Sequence, residues 1–272
     1  MRIENYPPQE PFSEAGDKYA AEVMRRGQGT SGEDHSYGDD PYQSLSLHIP
    51  ENPDGTILAF VHGGGWTSGY KEHMDFMAPP MLDAGIIFIS IGYRLAPQHN
   101  FPTGVNDIAA ALATIYQRIE KFGGNPERIF VGGHSAGGHY TALLAVRNDW
   151  QAKHNVPTTI IRGCVPISGV YNFAEGNGMA ARPRFLGEAD AEIAASPLYN
   201  IQQTPPFLLA HGSVDFPHLV AQATEMEKAL KAADADVSRI VFEGRNHFTA
   251  SYAGGEADGP WVPEVIKWMG TH

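Results

Sequence analysis

The sequence predicts an α/β fold: a mostly parallel central sheet with helices on both faces. Three observations predict it. Short, nearly continuous apolar runs recur along the chain, and strands apolar on both faces belong to buried parallel sheets. Between them lie stretches whose apolar residues sit three or four apart, the spacing of one helix face. The two patterns alternate about five or six times with no linker and no internal repeat, which reads as one domain over 1–272.

Residues 1–42 read as a leader segment. It holds one helix, about Ser13 to Arg26, with Ser13 as N-cap and Gly16 weakening it. From Tyr42 to Ile49, Leu45, Leu47 and Ile49 alternate with Ser44, Ser46 and His48, the pattern of a half-buried antiparallel strand near a sheet edge. Buried strands follow at Thr56 to Val61, Ile86 to Ile91 and Ile129 to Val131. Ile160 to Ile167 and Pro206 to Ala210 are less clean, and Val237 to Phe242 is the last. The clearest helix runs from Val105 to Phe122, with Val105, Ile108, Leu112, Ile115, Ile119 and Phe122 on one face. Others are expected at Lys71 to Ala84 (broken or kinked by Pro79-Pro80), Gly137 to Arg147, Leu219 to Ala232 and Val262 to Met269. Residues 172–200 lack strand periodicity and read as an insertion over the carboxyl ends of the strands, where α/β folds bind ligands.

Composition removes several function classes. Nineteen Lys and Arg against 31 Asp and Glu give a net charge of −12, and no basic cluster offsets it. Such a chain is repelled by phosphate backbones and anionic lipid, so neither nucleic acid nor membrane is an expected partner. No apolar run approaches the roughly 18 residues of a transmembrane helix, and the first residues lack the apolar core of a secretory signal. Cys164 is the single cysteine, which suits a reducing compartment, so a cytoplasmic protein is expected.

Three segments carry chemistry. Gly133-His134-Ser135-Ala136-Gly137 is a G-x-S-x-G that follows an apolar strand and opens a helix. In that context the serine sits on a tight strand-to-helix turn, and flanking side chains would collide with backbone, hence the glycines. His62-Gly63-Gly64-Gly65-Trp66 follows the first buried strand. Its glycines allow backbone N–H groups to converge on one point, as a tetrahedral oxyanion requires, and Ala136 N–H would add a donor. A phosphate loop is excluded because no G-K-[ST] follows. His62 reads as a brace for the loop.

The third is a pair of late strand ends, His211-Gly212-Ser213-Val214-Asp215 and Gly244-Arg245-Asn246-His247-Phe248. A serine hydroxyl needs an imidazole to take its proton, and the imidazole needs a carboxylate to fix its tautomer. Ser135, His247 and Asp215 supply these parts in the chain order this strand–turn–helix motif uses. Of the twelve histidines, His134 and His139 flank the serine in the wrong direction for a base. His211 supports the acid loop, and most others default to the surface. Glu243 lies too close along the chain to His247 to approach its imidazole from behind, and Glu188, Asp190 and Glu192 read as solvated. No metal-ligand spacing is present, so neither metal nor cofactor is expected. An ion pair between Arg94 and Asp107 is expected to brace the loop after the second parallel strand. Trp66, Tyr171 and Phe248 are candidates for the substrate pocket.

The set H-G-G-G-W, Tyr93-Arg94-Leu95-Ala96-Pro97, Gly133 to Gly138, and a late Asp and His resembles the esterase and lipase branch of the α/β-hydrolase superfamily. Hormone-sensitive-lipase-like esterases share these motifs, but their D-P-L-x-D acid segment is absent. The kynurenine formamidase (arylformamidase) group is similar over more of the chain: Tyr37 to Pro41, Ile167 to Tyr171, Ser196-Pro197, and Asp215-Phe216-Pro217 leading to Gln222. The resemblance implies a serine hydrolase acting through an acyl-enzyme on a small carboxylic ester or aryl formamide. It places nucleophile, acid and base on Ser135, Asp215 and His247, and the oxyanion donors on Gly64, Gly65 and Ala136, with Gly63 also a candidate. The expected partner is the small-molecule ester or amide, and a homodimer is compatible with this reading. The alternative is a non-catalytic ligand-binding protein on the same fold.

Overall fold

The computed structural model describes residues 3–174, 181–187 and 191–272. Eight strands form one sheet: β1 Glu33–Ser36, β2 Ser44–His48, β3 Ile57–Val61, β4 Ile87–Ile91, β5 Ile129–His134, β6 Gly163–Ile167, β7 Phe207–Gly212 and β8 Val237–Phe242. Their order is β1-β2-β4-β3-β5-β6-β7-β8. The pairs β1·β2 and β2·β4 are antiparallel, and all others are parallel. The helices are α1 Glu14–Arg26, α2 Ala78–Asp83, α3 Thr103–Arg118, α4 Ala136–Val146, α5 Ala191–Ala195, α6 Pro217–Ala232, α7 His247–Tyr252 and α8 Val262–Thr271.

The doubly apolar strands are explained by two cores, one on each face of the sheet. Along β3, Ile57, Ala59 and Val61 pack into one core with α3 and α4 residues such as Ile108, Leu112 and Leu143. Leu58 and Phe60 pack into the other, with Val23 of α1, Met81 of α2 and Trp261 and Val265 around α8. The central strands β3 to β7 contribute side chains to both cores, which is why they read as apolar on both faces.

Register sets the site. Val61 pairs with Gly133, His134 with Ile167, Ile167 with Ala210, and Gly212 with Phe242. The carboxyl ends of β3, β5, β6, β7 and β8 therefore finish on one edge. The loops that follow them meet there, although they lie far apart in sequence.

Several expectations need correction. The leader contains a strand, β1, which pairs outside β2. The five residues of β2 are all buried, not alternately exposed. Its polar face is covered by the turn Lys71–Met77, where His48 Nε2 lies 2.9 Å from Asp75 Oδ1 and 3.2 Å from Ser46 Oγ. Serine and histidine mimic a solvent face in sequence, but here they satisfy one another in the interior. The stretch from Lys71 is broken as expected, but ahead of Pro79-Pro80: it runs as a 3-10 helix, Lys71–Met77, and then as α2, where both prolines lie in the first turn and lose no intrahelical bond. Glu192 is buried rather than solvated, while Glu188 and Asp190 lie outside the described residues. His48 and His73 are buried, not on the surface.

Candidate active site

Ser135 occupies the turn between β5 and α4 with φ 54° and ψ −115°, a strained left-handed conformation for a non-glycine residue. The flanking glycines allow it. A Cβ on Gly133 would lie 2.3 Å from Gly137 C, and one on Gly137 would lie 2.1 Å from Val61 O. No side chain fits at either place, so the turn packs directly against β3 and lifts the hydroxyl over the strand edge. Ser135 N–H is bonded to Ile167 O at 3.0 Å, which fixes the turn to the neighbouring strand.

The other two groups come from β7 and β8. Ser213 N–H donates to Phe242 O at 2.9 Å, and Val214 N–H to Arg245 O at 3.1 Å. These bonds tie the loop bearing Asp215 to the loop bearing His247. His247 opens α7, a helix absent from the sequence-based expectations. Asn246 caps it by accepting from Phe248 N–H and Thr249 N–H, and Thr249 Oγ1 accepts from Asn246 N–H in return. The short cap fixes the imidazole at the first helical position.

The three side chains meet. His247 Nε2 is 2.9 Å from Ser135 Oγ, and His247 Nδ1 is 2.9 Å from Asp215 Oδ1. An ionised carboxylate can only accept, so Nδ1 carries the proton and Nε2 presents its lone pair to the hydroxyl. Asp215 also accepts from Phe216 N–H at 2.7 Å and, through Oδ2, from Ser168 Oγ at 2.5 Å. Burial pushes its carboxyl up. The bond and charge of His247, with the Ser168 and Phe216 donors, outweigh that and hold it at about 2. Ser168 was not singled out from sequence. Its position at the carboxyl end of β6, on the edge shared with Ser135, is the signal that could have found it. It too is left-handed, with φ 53°.

The glycine loop lies beside this row. Gly64 and Gly65 have φ 123° and 60°, and a Cβ on Gly64 would lie 1.8 Å from Ser68 O. A Cβ on Gly63 would approach Ser135 Cβ to 3.2 Å, so the loop runs alongside the serine. Ala136 is the first residue of α4, and its N–H is one of the donors a helix start leaves unpaired. His62 braces the loop: its Nδ1–H donates to Gly63 O at 2.7 Å and its ring stacks on Tyr93 at 4.4 Å. Arg94 and Asp107 form the expected ion pair, at 2.7 and 2.9 Å.

Two further histidines frame the site, both held neutral by burial. His134 Nε2–H donates to His247 O at 2.9 Å, and burial keeps its imidazole at about 3. His139 Nδ1 accepts from Trp66 Nε1–H at 3.0 Å, so its Nε2–H donates to Ala195 O at 2.7 Å. Burial holds it at about 4.

A cavity of about 320 Å³ opens at Ser135, lined by Gly63 to Gly65, His247, Phe216 and Phe248 among others. Of the three pocket candidates, Phe248 lines it. Trp66 instead stacks on Phe185 at 4.4 Å and borders a neighbouring cavity of about 260 Å³. Tyr171 is 1% exposed and packs in the core, so it does not line the cavity at Ser135. Within 172–200, Phe185 and Ala195 reach the site through Trp66 and His139, while 175–180 and 188–190 lie outside the described residues.

The comparisons with known proteins bear on the family and the fold. The sequence model of the BD-FAE family matches residues 45–230, a span that includes Ser135 and Asp215 and ends before His247. Esterase LipC of Mycobacterium tuberculosis is 32% identical over 78% of this chain and 58% of its own length. Kynurenine formamidase of Salmo salar is 28% identical over 50% of this chain and 45% of its own. The chain thus spans about half the length of these curated relatives. Among solved structures, an esterase of Pyrobaculum calidifontis superposes with a TM-score of 0.78 at 20% identity, covering 95% of this chain and 92% of that one. This chain belongs to the BD-FAE family, and its fold is that of the α/β-hydrolase superfamily in its esterase and lipase branch.

Proposed function

We propose that this protein is a serine hydrolase that cleaves a small-molecule carboxylic ester, or an aryl formamide, through an acyl-enzyme. The observation that carries the reading is the row Ser135 Oγ, His247 imidazole, Asp215 carboxylate, each step 2.9 Å, on a strained elbow beside a glycine loop. Ser135 Oγ attacks the carbonyl carbon while His247 Nε2 takes its proton. The N–H groups of Gly64, Gly65 and Ala136 hold the oxyanion, each worth about 3 kcal/mol of transition-state stabilisation. The tetrahedral adduct collapses, and His247 returns the proton to the departing alcohol or amine. Water then repeats the sequence on the acyl-enzyme and frees the acid. Asp215 keeps the tautomer and stabilises the imidazolium.

Ester is placed before amide because the relative that matches more of the chain is named an esterase, whereas the formamidase match covers half of it. The same reading takes 1–272 as one domain, a cytoplasmic enzyme free to work as a monomer or homodimer. Among the described residues, no helix is long and apolar enough to cross a membrane. The test is turnover of p-nitrophenyl acetate and butyrate by wild type and Ser135→Ala. The variant is expected to fold and to lose hydrolysis. Equal turnover by both proteins would remove Ser135 from the mechanism, and no turnover by wild type on esters or N-formylkynurenine would favour the non-catalytic binder.

A further inference from the structure

The leader is not an appendage. Of the residues that wall the cavity at Ser135, Pro11, Phe12, Ser13, Gly16 and Tyr19 belong to it. All precede residue 45, where the family match begins. We propose that this segment is the specificity-determining wall of the site. Phe12 and Tyr19 set the size of the substrate group admitted, and the class admitted is a compact, uncharged, apolar or aromatic group. The proposal rests on the reading of Ser135 as nucleophile and goes beyond it.

The wall is fixed on both sides. Towards the glycine loop, Ser68 Oγ donates to Glu10 O at 2.7 Å, Glu10 N–H to Thr67 O at 3.3 Å, and Gly69 N–H to Gln9 Oε1 at 2.5 Å. Towards the base, Tyr19 OH is 2.9 Å from Ser251 Oγ on α7, the helix that His247 begins. The Tyr19 ring lies 5.5 Å from both His134 and Phe248, so it bridges the two strand ends that carry Ser135 and His247. The Phe12 ring lies 5.9 Å from that of buried His73. Tyr19 is held by its bond to Ser251 and Phe12 by the anchored backbone beside it and its contact with His73, so both exclude bulk by shape.

Gly16 explains how Phe12 comes to lie there. A Cβ at position 16 would sit 3.1 Å from Phe12 Cβ and 3.2 Å from Cδ1. Gly16 is the third residue of α1, where alanine would be the better helix former. Here it lets the aromatic ring settle against α1 at the mouth of the cavity.

Size and charge both narrow the ligand. The cavity of about 320 Å³ is at the low end of the roughly 300–1,000 Å³ usual for small-molecule sites. His73 and His134, which also line it, are kept neutral by burial. Among the described residues of its lining the fixed cation is Arg184, which is already paired with Glu10 of the leader, and the chain as a whole is strongly acidic. A charged group gains little there, whereas an apolar group gains the contact of Phe12, Tyr19, Met74, Phe216 and Phe248.

The experiment compares wild type with Phe12→Ala, Phe12→Leu and Phe12→Trp on two substrate series. One varies the acyl chain of p-nitrophenyl esters from acetate to octanoate, with benzoate. The other varies the alcohol of acetate esters from methyl to naphthyl. The readout is the ratio of kcat/KM for the largest to the smallest substrate, which cancels any general loss of active protein. Phe12→Ala and Phe12→Leu are expected to raise the ratio in at least one series, by about tenfold for alanine, and Phe12→Trp to lower it. Ratios equal to wild type in both series would overturn the proposal while leaving the hydrolase reading intact. A wild type inert towards every member would overturn both.

Discussion

Two imidazoles lie 4.9 Å apart beside Ser135, His134 from the end of β5 and His247 from the loop after β8. They belong to one residue type and one small region, and their partners make them different. His134 spends its Nε2–H on a backbone carbonyl of His247, and its Nδ1, buried against Gly63, has no partner among the described residues. Burial is the largest influence on it, outweighing the pull of its carbonyl partner and of the Asp215 charge, so it stays neutral. His247 directs Nδ1–H to a carboxylate that also accepts from Ser168 and Phe216, and its Nε2 faces a hydroxyl. The comparison teaches that the group bonded to the far nitrogen, more than nearness to the serine, decides which histidine can accept a proton.

The largest expected effect breaks that difference directly. His247→Gln should lower kcat/KM for a short ester by about 10⁴-fold or more while the protein stays folded, read by steady-state kinetics and circular dichroism. A fall of only a few-fold would mean that another group serves as base. Ser168→Ala comes next. It removes one of the donors that hold Asp215 ionised, and a hydrogen bond to a charged group is worth roughly 1.5–3 kcal/mol, so kcat should fall roughly ten- to hundredfold. Unchanged kcat would show that Asp215 is held well enough by His247 and Phe216.

The remaining predictions concern the buried imidazoles. His134→Phe should cost far less activity than His247→Gln. Its cost should appear in stability, about 1–3 kcal/mol, because the His247 carbonyl loses its buried donor. Acid sensitivity follows from the same chemistry. His62, His73, His134 and His139 are pushed by burial from 6.5 to about 4, 3, 3 and 4. Below pH 6.5 the unfolded chain takes up protons that the folded one refuses, so the stability these groups supply is full above that pH and drains as pH falls towards 4. Tm should therefore decline steadily from pH 7 to 4.5. A flat Tm across that window would mean that these imidazoles are protonated in the folded protein.

What the sequence made legible follows from where each signal resides. The parallel strands and α3, α6 and α8 were readable because burial on a fixed face writes itself into residue spacing. The elbow and glycine loop were readable because close backbone approach excludes every side chain, and glycine alone answers that demand. Asp215 and His247 were readable from strand ends and chain order. The leader's place was not, since its contacts with Thr67, Ser68, Gly69 and Ser251 join positions far apart along the chain without any repeating pattern. Ser168 and the burial of β2 were missed for a related reason. Polar residues that satisfy one another inside look, in sequence, like residues that face water. Tyr171 was misassigned to the pocket because a strand-end address does not say which way a side chain turns.

The most direct measurement is mass-mapped labelling of the native protein by a fluorophosphonate, run in parallel on His247→Gln. The account predicts a single adduct per chain, on Ser135 Oγ, and its disappearance when the imidazole is replaced. An adduct on a different serine, or undiminished labelling without His247, would contradict it.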